Sequence, residues 1–278
     1  MKKVLLLMAI AICFGAISAM GKGMLEKNFP VTPFNDLQVK SSVKVYYEQG
    51  AKHSCTITAT AKDMKKIKVE VKGKKLLIYT LTSEKKIEGV RFNIAKNISD
   101  EVIVRISSPE LKSVTCVGSA EFIATNNIRS ENISFKVTGS GEIKTKKIIA
   151  NSLFLSISGS GEASVLEADV DDVTATIYGS GDLDMEKVSS RCQKAALSIH
   201  GSGEMDVQFS DCKDLKCSIS GSGEMELKGK VLNFTSNIFG SGEIKRNELQ
   251  ISGNCIENNM RSKNSSGAKT VNNINPKP

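Results

Sequence analysis

The tetrapeptide Gly-Ser-Gly-Glu, or a close variant of it, recurs seven times between residues 118 and 243 of this chain. Its first glycines are Gly118, Gly139, Gly159, Gly179, Gly201, Gly221 and Gly240, so successive spacings are 21, 20, 20, 22, 20 and 19 residues. A near-constant period of this length marks a repeat architecture, in which each unit is completed only by its neighbours. The acidic position is filled by Glu121, Glu142, Glu162, Asp182, Glu204, Glu224 and Glu243, and only the first copy departs at its glycines, with Ala120 replacing the second.

The flanks of the motif say what kind of unit repeats. Two residues before each glycine, from the second copy on, stand Val137, Ile157, Ile177, Ile199, Ile219 and Ile238. Positions four and six before are also mostly apolar, for example Leu155 and Leu153, or Leu197 and Ala195. Alternation of this kind is a half-buried strand. A second short strand follows the motif, led by Ile143, Ala163, Leu183, Met205, Met225 and Ile244. The glycines, Gly139, Gly141, Gly159, Gly161, Gly179, Gly181, Gly201, Gly203, Gly221, Gly223, Gly240 and Gly242, are then structural turn residues at a sharp corner between the strands. A period of two excludes helical repeats, and the missing Leu and Asn positions exclude leucine-rich repeats. What remains is an all-β parallel β-helix, a β-solenoid with rungs of about 20 residues stacked at about 4.8 Å.

The rest of the chain divides by composition. Lys2 and Lys3, an apolar stretch from Val4 to Ala16, and small residues at Ser18 and Ala19 read as a signal peptide over 1–19. Cys13 lies inside that apolar stretch behind Ile12, which disfavours lipoprotein anchoring. No other apolar run is long enough to span a bilayer. The expected location is therefore outside the cytoplasm, in the periplasm or at the cell surface. Residues 20–36 form a leader segment, 37–110 an N-terminal β region or cap, 111–257 the solenoid repeats, and 258–278 a polar tail. Strands are expected at 37–40, 43–48, 55–59, 67–71, 76–81, 90–94 and 102–106, with a hairpin or rung corner at Gly73. Whether the N-terminal β region is a separate domain stays open.

Together these features resemble the autotransporter-adhesin head domains, or head GIN domains, of secreted bacterial proteins. The resemblance runs over roughly residues 30–255 and rests on Leu37-Gln-Val39, Val43-Lys-Val45, the Pro109-Glu-Leu111 transition and the Gly-Ser-Gly rungs. It implies a pectin-lyase-like parallel β-helix and a role in adhesion, and it carries over no catalytic residue.

The formal net charge of +8 is unevenly placed. Residues 25–110 hold 16 basic and 10 acidic residues, and residues 111–278 hold 19 and 20. Lys62, Lys65, Lys66, Lys68, Lys72, Lys74, Lys75, Lys85 and Lys86 crowd the first segment, as a basic patch or as a solvated strand surface. Export, and the lack of Arg-rich segments interleaved with aromatics, disfavour nucleic acid as a partner.

Four groups of residues are candidates for chemistry. If the rungs are in register, Glu142, Glu162, Asp182, Glu204, Glu224 and Glu243 line one edge, either as a calcium ladder or as solvated corner residues; no other cofactor is expected. Residues one, three and five before each glycine face outward. They give a flat surface of hydroxyls, among them Thr174 and Thr176, with rings at Phe154, Tyr178, His200 and Phe239. Such a face suits a glycan, a surface protein or a second copy in a homo-oligomer, and it is equally ordinary strand composition. Cys192 and Cys212 each lie nine residues before their glycine, which sets them on adjacent rungs within reach of a disulfide. The acidic cluster Asp169, Asp171 and Asp172 lacks a paired basic set, and His53 and His200 have no evident nucleophile. The reading is a non-catalytic adhesive module; the alternatives are a polysaccharide lyase and a structural envelope spacer.

Overall fold

The computed structural model describes residues 17–20, 23–87, 90–95, 98 and 102–260. It is a β-solenoid of about seven turns. The signal-peptide reading of 1–19 falls mostly outside these residues, as does the tail beyond Met260.

The rung between two glycine corners shows how the chain is folded. Ile143 and Thr145 point inward, Lys146 and Lys147 both outward, Ile148 and Ala150 inward, Asn151 and Ser152 outward, and Leu153, Leu155 and Ile157 inward. Two successive outward residues break the period of two, and the chain turns there. Each regular rung thus has three straight sides, one more than the two strands read from the sequence.

Rungs stack in parallel and in register. Glu142–Gly159 pairs along its length with Glu162–Gly179, as Ile157↔Ile177 and Gly159↔Gly179. The column continues from Ile177 through Ile199 and Ile219 to Ile238. The hydrogen-bond ladder passes through the corners without a gap: Ser160 N–H donates to Gly139 O at 3.0 Å and Glu162 N–H to Gly141 O at 2.9 Å. One continuous core runs from Phe34 to Leu249. Tyr47, Phe122 and Phe135 pack in it ring against ring, with centroids 5.8 and 6.1 Å apart. The Tyr47 hydroxyl bonds Ser108, and burial pushes its phenol up to about 12.

The N-terminal region shares this core. Asp36–Lys40 lies in register on Ser113–Val117, and Lys44–Gln49 on Glu121–Ala124, forming the rung that precedes the first glycine copy. Lys75–Thr80 and Ile103–Ser108 continue the parallel stack on Asp36–Lys40 and Lys44–Gln49, and antiparallel strands then close the end. Ser54–Thr60 pairs with Ile103–Ser108 and with Met24–Phe29, and Ile67–Lys72 pairs with Lys75–Thr80. Met24–Phe29 lies in the segment read as a leader without strands, and Ile17–Met20 pairs against it. Thr82–Ile87, also not anticipated, forms a hairpin with Val90–Ala95.

At the other end Cys255–Met260 adds a last strand beside Phe234–Phe239, past the expected boundary at 257. Here the inward columns turn polar. Leu197, Cys217, Ser236 and Glu257 are successive register partners. Arg246 Nε donates to Glu257 Oε1 at 2.8 Å, and the guanidinium lies 5.8 Å from the centre of the Phe234 ring.

Candidate functional site

The side preceding the glycine corner is flat because its strands are in register, and its outward residues form columns. The column adjoining the corner reads Thr138, Ser158, Tyr178, His200, Ser220, Phe239. Tyr178 and His200 are neighbours, with centroids 5.0 Å apart and ring planes within 9° of parallel. Tyr178 is 51% exposed and Phe239 48%. Phe239 stands two rungs from His200, with only Ser220 between. The next column is nearly all hydroxyl: Ser156, Thr176, Ser198 and Ser218. Thr174 lies in the third column, beside Phe154. Of the residues singled out in the sequence, Tyr178, His200 and Phe239 therefore share the column at the corner, with Thr176 one column away and Thr174 in the third column with Phe154. That third column lies four residues along the strand, or about 13 Å, from the Tyr178 column, and Lys136 Nζ stands over the Phe154 ring at 5.5 Å.

The side following the corner carries the acidic column. Glu121, Glu142, Glu162, Asp182, Glu204, Glu224 and Glu243 are successive register partners. Three of its members are paired: Glu121 with Lys44 at 2.8 Å, Glu142 with Lys144 and Glu224 with Lys245. A second acidic stretch, missed in the sequence, runs beside it through Asp184, Asp206 and Glu226. Burial, and then the neighbouring carboxylates, raise the pKa of Asp184, Glu204 and Asp206. Asp206 Oδ1 is buried without a hydrogen-bond partner. The column spreads its carboxylates one to a rung. Among the described residues no group of three or more His, Cys, Asp or Glu converges on one metal position.

The remaining candidates sit as follows. Cys192 and Cys212 are register partners on adjacent rungs, both buried, with sulfurs 3.0 Å apart and both thiols free. Arg191, in the two residues that lengthen this repeat, answers the aspartate cluster. Its Nε and an Nη meet the two Asp171 oxygens at 3.1 and 3.0 Å, and it also reaches the Ala150 carbonyl. His53 accepts the Phe34 N–H and packs on its ring in the end cap, well removed in the fold from His200. In the basic segment, Lys66 pairs with Asp63 and Lys72 with Glu70, while Lys62, Lys65, Lys68, Lys74 and Lys75 are exposed. The side chains of Lys85 and Lys86 lie outside the described residues.

The fold is shared with solved bacterial structures. A "putative adhesin" from Bacteroides fragilis is 18% identical, with a TM-score of 0.61 over 86% of this chain and 98% of that one. A "putative lipid binding protein" from Parabacteroides distasonis is 17% identical, with a TM-score of 0.60 over 86% and 98%. A "putative adhesin" from Parabacteroides merdae is 16% identical, with a TM-score of 0.56 over 81% and 96%. Comparison with curated proteins returns no match. No helix among the described residues is long and apolar enough to cross a membrane. A family profile described as "Putative auto-transporter adhesin, head GIN domain" matches residues 33–192 and 188–265. The family description names an adhesin, which fits an adhesion-like role; the solved neighbours, 16 to 18% identical, establish the fold. By that match, which takes in nearly the whole solenoid, the chain belongs to the auto-transporter adhesin head GIN domain family.

Proposed function

We propose that the chain is a non-catalytic adhesive module displayed at the cell surface, and that it holds glycan on the flat side preceding the glycine corners. The observation that carries this reading is the exposed, parallel ring pair Tyr178–His200 beside the hydroxyls of Ser156, Thr176, Ser198 and Ser218 in the next column. A sugar ring has an apolar face and a rim of hydroxyls. It is recognised by rings that cover the first and by short polar side chains that bond the second. Thr176 and Ser198 supply donors and acceptors next to the two rings. Because the rungs are in register, a chain of sugars meets that chemistry on a surface already set before binding, so little ordering cost opposes it.

A second reading has its own support. Phe154, Phe239 and Ile256 are 36%, 48% and 46% exposed on the same side, which suits contact with another copy. A glycan array probed with the full chain and with Tyr178→Ala/His200→Ala separates the two. Retention on at least one glycan class, reduced tenfold or more in the variant, is the expected result. Equal retention by both proteins, or none by the wild type, removes the glycan reading. A concentration-dependent dimer in sedimentation, lost in Phe154→Ala/Phe239→Ala, establishes the second.

A further inference from the structure

We propose that Cys192 and Cys212 form a disulfide that locks the rung register where the repeat is longest. The 22-residue spacing from Gly179 to Gly201 sets this place apart from its neighbours. Pairing is irregular on both sides of it, between Met185 and Val188 and again between Phe209 and Cys212. In a strand of period two, a slip of one residue exchanges the buried and exposed faces. Rungs that carry the same Gly-Ser-Gly corner give little local information against such a slip. A covalent tie between adjacent rungs supplies it.

The geometry is close to what the bond requires. Register partners on neighbouring rungs have Cα atoms at about the strand spacing, within the range disulfides span. The two sulfurs stand 3.0 Å apart, so an approach of about 1 Å brings them to bonding distance. A surface depression lined by Ser190, Gln193, Asp211 and Lys213 reaches Cys192. Cys217, equally buried, has Leu197 and Ser236 as its register partners and faces no cysteine on an adjoining rung.

The oxidant is an external disulfide, either a small one such as oxidised glutathione or that of a thiol–disulfide oxidoreductase. One cysteine thiolate attacks it, forming a mixed disulfide and releasing one reduced thiol. The second thiolate attacks the protein sulfur of that mixed disulfide and releases the other. The two protein thiols together give up two protons and two electrons, and the external disulfide takes up both. Contact with Cys212, with burial added, holds the Cys192 thiol well above its ordinary value in the folded state, so thiolate is scarce there. The exchange accordingly belongs to folding, before these rungs close.

The test is independent of what the flat face binds. The full chain is refolded in mixed oxidised and reduced glutathione, alkylated under denaturing conditions without reduction, digested, and mapped by mass spectrometry. A linked peptide pair carrying Cys192 and Cys212, lighter by two hydrogens than the separate peptides, is expected. Reduction should lower the melting temperature by roughly 5–10 °C, a drop absent from Cys212→Ser. Separate alkylation of both cysteines in the refolded wild type overturns the proposal, as does a link to Cys217 instead. A linked pair whose reduction leaves the melting temperature unmoved overturns the locking role.

Discussion

Asp206 stands between Asp184 and Glu226 in one column and beside Glu204 in the chain's acidic strip, with one oxygen buried and unbonded. Burial comes first among the causes that make Asp184, Glu204 and Asp206 harder to ionise, and the nearby carboxylates add to it. Groups whose pKa is higher in the fold than in the unfolded chain cost stability wherever they are ionised in both states. That cost is present at neutral pH and is withdrawn as pH falls through the folded values toward the ordinary carboxylate range. Asp206→Asn should therefore melt roughly 1–3 °C higher than wild type at pH 7, and the gap should close by about pH 4. Melting curves at the two pH values check this, and a gap indifferent to pH would count against it. The sequence displayed one acidic column openly, because Glu or Asp follows every corner. The second was hidden, because the same place in other rungs holds Lys144, Ser164 or Lys245, and only the observed register shows Asp184 and Asp206 adjoining.

The corner is the element on which the stack depends, and its two glycines serve different ends. Gly159 has φ +121°, a conformation other residues rarely adopt. Gly161 is required by closeness: a Cβ there would lie 2.6 Å from Gly141 O and 2.5 Å from Val137 Cγ1. In the first copy Ala120 stands at this place, and the preceding rung presents Val43 there rather than a glycine corner. Gly161→Ala should cost about 1–3 kcal/mol through forced displacement of the rung below, read as a lower denaturant midpoint with an unchanged slope. A midpoint within error of wild type would show that the rungs part without penalty. Strands and corners were legible because apolar alternation and glycine both repeat. The third side of each rung was not, because Ile148 to Ala150 is too short to establish a period of its own. Nor was the role of Arg191, which acts through Asp171 and the Ala150 carbonyl, 20 and 41 residues away in the chain.

Across the whole molecule, stability comes from contacts between successive rungs, and the two ends meet the problem of an exposed core differently. The N-terminal end is covered by antiparallel strands. The C-terminal end instead sets Arg246, Glu257 and Asn259 among the inward places of its last described rung, alongside Ile244, Leu249 and Cys255, with Glu257 and Asn259 in line with Ser236 and Ile238 on the rung before. Inward-pointing charge on an edge is a recognised guard against strand-to-strand association. Arg246→Leu/Glu257→Leu should add, at higher concentration, larger species that the wild-type sedimentation profile lacks, and a profile unaltered by the double change would refute this role. On that expectation, charges turned toward the axis at the last described rung give the molecule a finite length, because the stacking that builds one copy stops there instead of passing into the next.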